Sequence, residues 1–180
     1  MVWPTMSGMI VDRRDQVLMT FLLLISLGLD AFAHAAEAYV GAAYGKGSQK
    51  EMRFWVVRTS IWAGGVACLY SLGFFVAGDS LIATLTNIEP VRTAAASALP
   101  VMILLPVFSV WCYQFDGIYI GATSGGGMLG TMVVAFLVYI SLLPWLTSAY
   151  GLPGLWLAVM IFMTARGLAQ LIYYPWIEKR

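Results

Sequence analysis

Residues 17–43, VLMTFLLLISLGLDAFAHAAEAYVGAA, form an apolar run that nevertheless contains an aspartate, the chain's single histidine and a glutamate. At a helical rise of 1.5 Å per residue, about 20 residues cross the ~30 Å hydrocarbon core of a bilayer. The run is therefore long enough to span one. Asp30, His34 and Glu37 recur at helical spacing and share one face. An aspartate, lysine or arginine at the centre of such a helix costs about 2.5–3.5 kcal/mol on insertion scales. Groups this costly must meet a partner or line a wet cavity. Polar glue between helices is the plainer reading. Several ionisable groups on one stripe suit a proton, cation or substrate path better than a single helix contact. Asp30 is expected near mid-membrane, with His34 and Glu37 progressively nearer the cytoplasmic side.

The composition extends this reading to the whole chain. Of its 180 residues 61% are hydrophobic and 11% charged, against about a quarter charged in soluble domains. That much apolar surface points to the lipid bilayer as a partner. The net charge is +1 and the basic residues form no run, so no nucleic-acid partner is expected. Cys68 and Cys112 fall inside apolar runs without metal-ligand or redox spacing and read as two buried thiols. The first 16 residues, MVWPTMSGMIVDRRDQ, lack the pattern of a signal peptide and form an atypical amino-terminal segment.

Four further runs, 54–77, 93–120, 128–147 and 155–174, are also of spanning length. The expected fold is an all-α polytopic membrane helix bundle of about five transmembrane helices. Ser48-Gln49-Lys50-Glu51 and Thr86-Asn87-Ile88-Glu89 each fit a capping box that starts a helix. Gly125-Gly126-Gly127 and Gly151-Leu152-Pro153-Gly154 read as turns. A short interfacial helix is expected over 79–87, and Pro106 is expected to kink the third span. Lys46, Lys50, Arg53 and Arg58 lie between the first two spans, while Lys179 and Arg180 end the chain. The positive-inside rule puts both groups, and so the carboxy terminus, in the cytoplasm. Arg13 and Arg14 then face outward, against that rule. No internal repeat of the kind that pairs transporter halves is visible.

Two more charged residues lie within spans. Asp116, in YQFDGIYIGAT, falls toward the cytoplasmic end of the third, and Arg166, in TARGLAQ, falls in the fifth at a depth similar to His34 and Glu37. An unpaired arginine there is costly, so Arg166 is expected to form a structural ion pair with Glu37 or Asp116. Enzymatic readings fail: YGKGS lacks Walker A spacing, Ser124 lacks the setting of a nucleophile elbow, and one histidine makes no zinc site. No metal centre, cofactor or covalent chemistry is expected. Trp55, Trp145, Tyr150 and Trp176 gather near span ends, as an interfacial aromatic belt does.

Three stretches, LDAFAHAAEAYVGAAYGKG (29–47), FDGIYIGAT (115–123) and LPGLWLAVMIFMTARGL (152–168), carry a resemblance. In order and spacing the chain from residue 17 onward resembles multidrug and toxic compound extrusion (MATE) transporters, in their DinF-like branch. Those proteins have twelve helices in two lobes of six. The resemblance places this chain at helices eight to twelve, most of the carboxy-terminal lobe, with nothing similar to helix seven in residues 1–16. It implies export of small organic cationic or amphipathic compounds from a bacterial inner membrane, coupled to H+ or Na+. It also implies that Asp30, His34, Glu37 and Asp116 occupy polar positions of helices eight and ten. In DinF-like members the coupling carboxylate is usually assigned to the first helix, which lies outside the matched part. The implied partners are a separately made amino-terminal half or a second copy of the chain. A remnant or assembly partner without transport of its own is the alternative.

Overall fold

In hydrocarbon every backbone N–H and C=O must be satisfied within the chain, and a continuous helix does this locally. A computed structural model describes residues 6–178, with side chains from residue 15 onward, and folds the runs into five helices: α1 Met6–Gly45, α2 Gln49–Leu85, α3 Glu89–Gly121, α4 Gly125–Tyr150 and α5 Leu152–Glu178. All five contain stretches long and apolar enough to cross a membrane. The Arg13, Arg14, Lys179 and Arg180 side chains of the orientation argument, and residues 1–5, lie outside the described residues.

The helices overrun the apolar runs at both ends, because a span continues into the headgroup region until a turn stops it. The interfacial helix expected over 79–87 is replaced by the last turns of α2, which ends at Leu85 with Thr86 as its C-cap. The capping box expected at Thr86 is also absent: Ile88 stands at the N-cap of α3 without a side-chain bond, and Pro90 occupies the first turn. At α2 the Ser48 hydroxyl does cap, accepting from the Glu51 N–H at 3.4 Å, but the Glu51 carboxylate turns to Lys46 at 3.0 Å. Gly125, Gly126 and Gly127 are the first turn of α4, and the chain reverses just before them, through Thr123 at φ +52°. The α4–α5 reversal tightens to Gly151 at φ +61°, a conformation open to glycine without strain.

The α3 helix is the centre of the bundle and packs against all four others. It remains one helix through Pro100 and Pro106. Its polar side chains reach different neighbours. Tyr113 shares a hydrogen bond with Ser26 of α1 at 2.7 Å, and Gln114 Nε2 donates to Thr59 Oγ1 of α2 at 2.6 Å. Tyr119 donates to the Gln170 carbonyl oxygen of α5 at 2.7 Å. Interhelical hydrogen bonds in lipid contribute about 0.6 kcal/mol each on average, so close packing must carry most of the association.

That packing is closest where α1 crosses α3. A Cβ on Gly117 would overlap the Ala33 carbonyl group, with the Ala33 carbonyl carbon only 2.7 Å away, and one on Gly121 would sit 2.6 Å from the Glu37 carbonyl oxygen. Gly41 lies opposite Gly121. The small residues of α1 meet a Gly-x-x-x-Gly pair of α3, which lets the two backbones touch. Two clusters of buried side chains extend from this crossing. One holds Phe21, Ile25, Leu29, Met102 and Leu105, and the other Ala36, Val40, Met52, Ile118 and Tyr119. Cys112 is buried as expected, whereas Cys68 is exposed on the outer face of α2. Arg53 pairs with Glu178, which brings the α1–α2 turn and the end of α5 to the same end of the bundle.

Candidate functional site

Alternate sides of α1 have opposite fates. Leu29, Ala33, Ala36 and Val40 are buried against α3, and Asp30, His34 and Glu37 lie beside that stripe. The His34 side chain is 79% exposed and that of Glu37 39%, with His34 Nδ1 and a Glu37 carboxylate oxygen 3.5 Å apart. Asp30 is partly buried. The stripe is open along one side of α1, unlike a sealed helix contact.

Asp116 sits one residue before Gly117 on α3, so the glycine crossing fixes its position relative to Asp30 and Glu37. On its other side α5 supplies two donors to one carboxylate oxygen. Arg166 Nη2 lies 2.9 Å from Asp116 Oδ1, and Gln170 Nε2 donates to the same oxygen at 2.7 Å. Arg166 thus takes the second of its two expected partners. The Glu37–Arg166 pair expected from sequence is not formed; Glu37 meets His34 instead, because α5 packs on α3 and α4 while Glu37 points along α1. The side chains of Arg166 and Asp116 retain 12% and 20% exposure. Arg166 Nε and Gln170 Oε1 are buried with no hydrogen-bond partner among the described residues.

Gln170 was not singled out in the sequence, although a glutamine in the apolar segment GLAQLIYY is a polar group needing a partner. Gly117-x-x-x-Gly121 was also legible as a close-packing motif. A broad hollow lies elsewhere, along the outer face of α2 beside Lys50, Phe54, Arg58 and Trp62. It is an open groove on a single helix and includes none of the carboxylates discussed above.

The arrangement can offer carboxylates to a cation from two helices, with the His34 imidazole alongside. A family model described as MatE matches residues 16–145. The DNA damage-inducible protein F of Escherichia coli (strain K12) is 38% identical over 164 residues, covering 86% of this chain and 34% of that protein. Protein DETOXIFICATION 44, chloroplastic, of Arabidopsis thaliana is 30% identical over 160 residues, with 86% of this chain and 30% of the relative covered. Protein DETOXIFICATION 42 of the same plant is 28% identical over 158 residues, or 84% and 29% of the two chains. The chain spans about a third of the length of these curated relatives. No solved structure matches it. With five helices able to span a bilayer, the family model matched over most of its length and the likeness to protein F, this multi-pass membrane chain belongs to the MATE family, in its DinF-like branch.

Proposed function

We propose that the chain forms most of the carboxy-terminal lobe of an antiporter that exports small organic cations or amphipathic compounds, driven by inward flow of protons or sodium. The observation that carries the reading is the open stripe of Asp30, His34 and Glu37 beside Asp116, in a chain related to the DNA damage-inducible protein F. Charged and imidazole side chains on a lipid-length helix are tolerated where they line a hydrated path. Asp30 and Asp116 offer carboxylates to a cation or cationic substrate from two helices, and His34 relays protons toward Glu37. The basic residues Lys46, Lys50, Arg53 and Arg58 mark the cytoplasmic end of the bundle, in a bacterial inner membrane, and the carboxy terminus shares that end.

Transport requires the remaining helices of such a carrier, supplied by an amino-terminal half or by a second copy. The test is efflux of a fluorescent cation from cells producing these 180 residues alone and from cells also producing an amino-terminal half. Efflux in the second case supports the reading, and Asp30→Asn should abolish it without loss of the protein from the membrane. If neither cell type exports the dye, the transport reading fails.

A further inference from the structure

The Asp116–Arg166 pair is built unlike a permanent structural bridge. A lasting buried pair needs its remaining donors and acceptors satisfied, because each orphan raises the cost of burial. Here Arg166 and Gln170 both address Oδ1 of Asp116, while Arg166 Nε and Gln170 Oε1 stay buried without partners among the described residues. The carboxylate is not sealed either, since its side chain keeps 20% exposure.

Resting on the transport reading above, we infer that Arg166 is a tethered competitor: its guanidinium occupies Asp116 in the empty carrier, and a monovalent organic cation binds there by displacing it. The carboxylate is never left bare in a poorly hydrated setting, because one positive group hands over to another. Gln170 holds Oδ1 through the exchange and acts as a positioning residue. Asp116 is available only in the fraction of molecules whose pair is open, and apparent affinity is reduced by that fraction. If the pair is closed in about four molecules of five, removing the guanidinium should lower the half-saturating cation concentration roughly fivefold.

The test is the concentration dependence of ethidium efflux in cells producing an amino-terminal half together with this chain, either unchanged or carrying Arg166→Gln, Arg166→Lys or Asp116→Asn. Arg166→Gln should show the lowered half-saturation together with a slower maximal rate, because release loses its displacing group. Arg166→Lys keeps the charge on a single-point donor that holds a carboxylate less firmly, and should fall between Gln and wild type. Asp116→Asn should lose saturable efflux. A transporting Arg166 variant whose half-saturation is unchanged or raised overturns the exchange and leaves the transport reading standing. A requirement so strict that neither variant reaches the membrane marks a permanent structural bridge and also overturns it. Wild-type protein that exports no ethidium or other organic cation refutes the transport reading itself, and this inference with it.

Discussion

Replacing Gly117 by alanine puts a methyl group where α1 and α3 are in backbone contact. The new Cβ would overlap the Ala33 carbonyl, with its carbon 2.7 Å away. Ordinary contacts between non-bonded carbons lie at about 3.5–4.0 Å, so the two helices must separate by about 1 Å. The obstacle is backbone and cannot rotate aside. Overpacking of this kind costs about 1–3 kcal/mol, and the displaced contact is the one that places Asp116 beside the α1 stripe. Gly121→Ala should cost less, since its Cβ would lie 3.2 Å from the Glu37 carbonyl carbon, and Gly41→Ala least, at 3.6 Å from the Gly121 carbonyl carbon. Gly64 and Gly65 meet nothing within 4 Å. Alanine there should be neutral or stabilising, by about 0.5–1 kcal/mol from helix propensity alone. Unfolding in mixed dodecylmaltoside–SDS micelles, followed by circular dichroism, reads the series. The expected order of destabilisation is Gly117, Gly121, Gly41, then the two controls. At about 2 kcal/mol, Gly117→Ala would change the folded-to-unfolded ratio roughly thirtyfold. If Gly117→Ala unfolds at the same SDS fraction as Gly64→Ala, the close crossing is not there and the placement of Asp116 derived from it fails.

Three further outcomes follow from the polar contacts. Reversing charge at Asp116 or Arg166 alone should lower membrane accumulation, and reversing both should restore it, whereas the Glu37 and Arg166 double reversal should rescue nothing; quantitative blotting of membranes distinguishes the two. His34→Cys in a Cys68→Ala background should react with a water-soluble maleimide far faster than native Cys112, which is 1% exposed. Equal rates at the two positions would mean that the α1 stripe is closed to water. Thr59→Val removes the acceptor of Gln114 and should cost about 0.5–2 kcal/mol in the same unfolding assay, between the average for interhelical bonds in lipid and the penalty for an orphaned amide.

Much of this architecture could be read from residue order because hydrocarbon leaves a chain few options. Spanning length and turn residues locate five helices, and the cost of charge in lipid marks Asp30, His34, Glu37, Asp116 and Arg166. Helix ends were less legible, since hydropathy reports where lipid begins rather than where a helix stops; Asp79 and Ser80 are polar yet remain in α2. The partner of Arg166 was ambiguous for a geometric reason. Sequence gives depth along the membrane normal, at which Glu37 and Asp116 are similar, but not which way each helix is rotated. Choosing between them needs the packing of α5 on α3, which depends on Gly167 fitting beside Trp111 and Cys112. Thr86 could have capped either adjoining helix, and the structure uses it to end α2, where its N–H bonds the Ile82 carbonyl oxygen.

The central position of α3 bears on how such a bundle can rearrange. Its hydrogen bonds to α1, α2 and α5 occupy neighbouring turns, beside the glycine crossing. Sliding α3 along its axis by a single turn would break these links together, and none could be kept while the others reform. Rearrangement within these five helices should therefore be cooperative, with outlying helices swinging about α3 as a fixed axle rather than α3 moving among them.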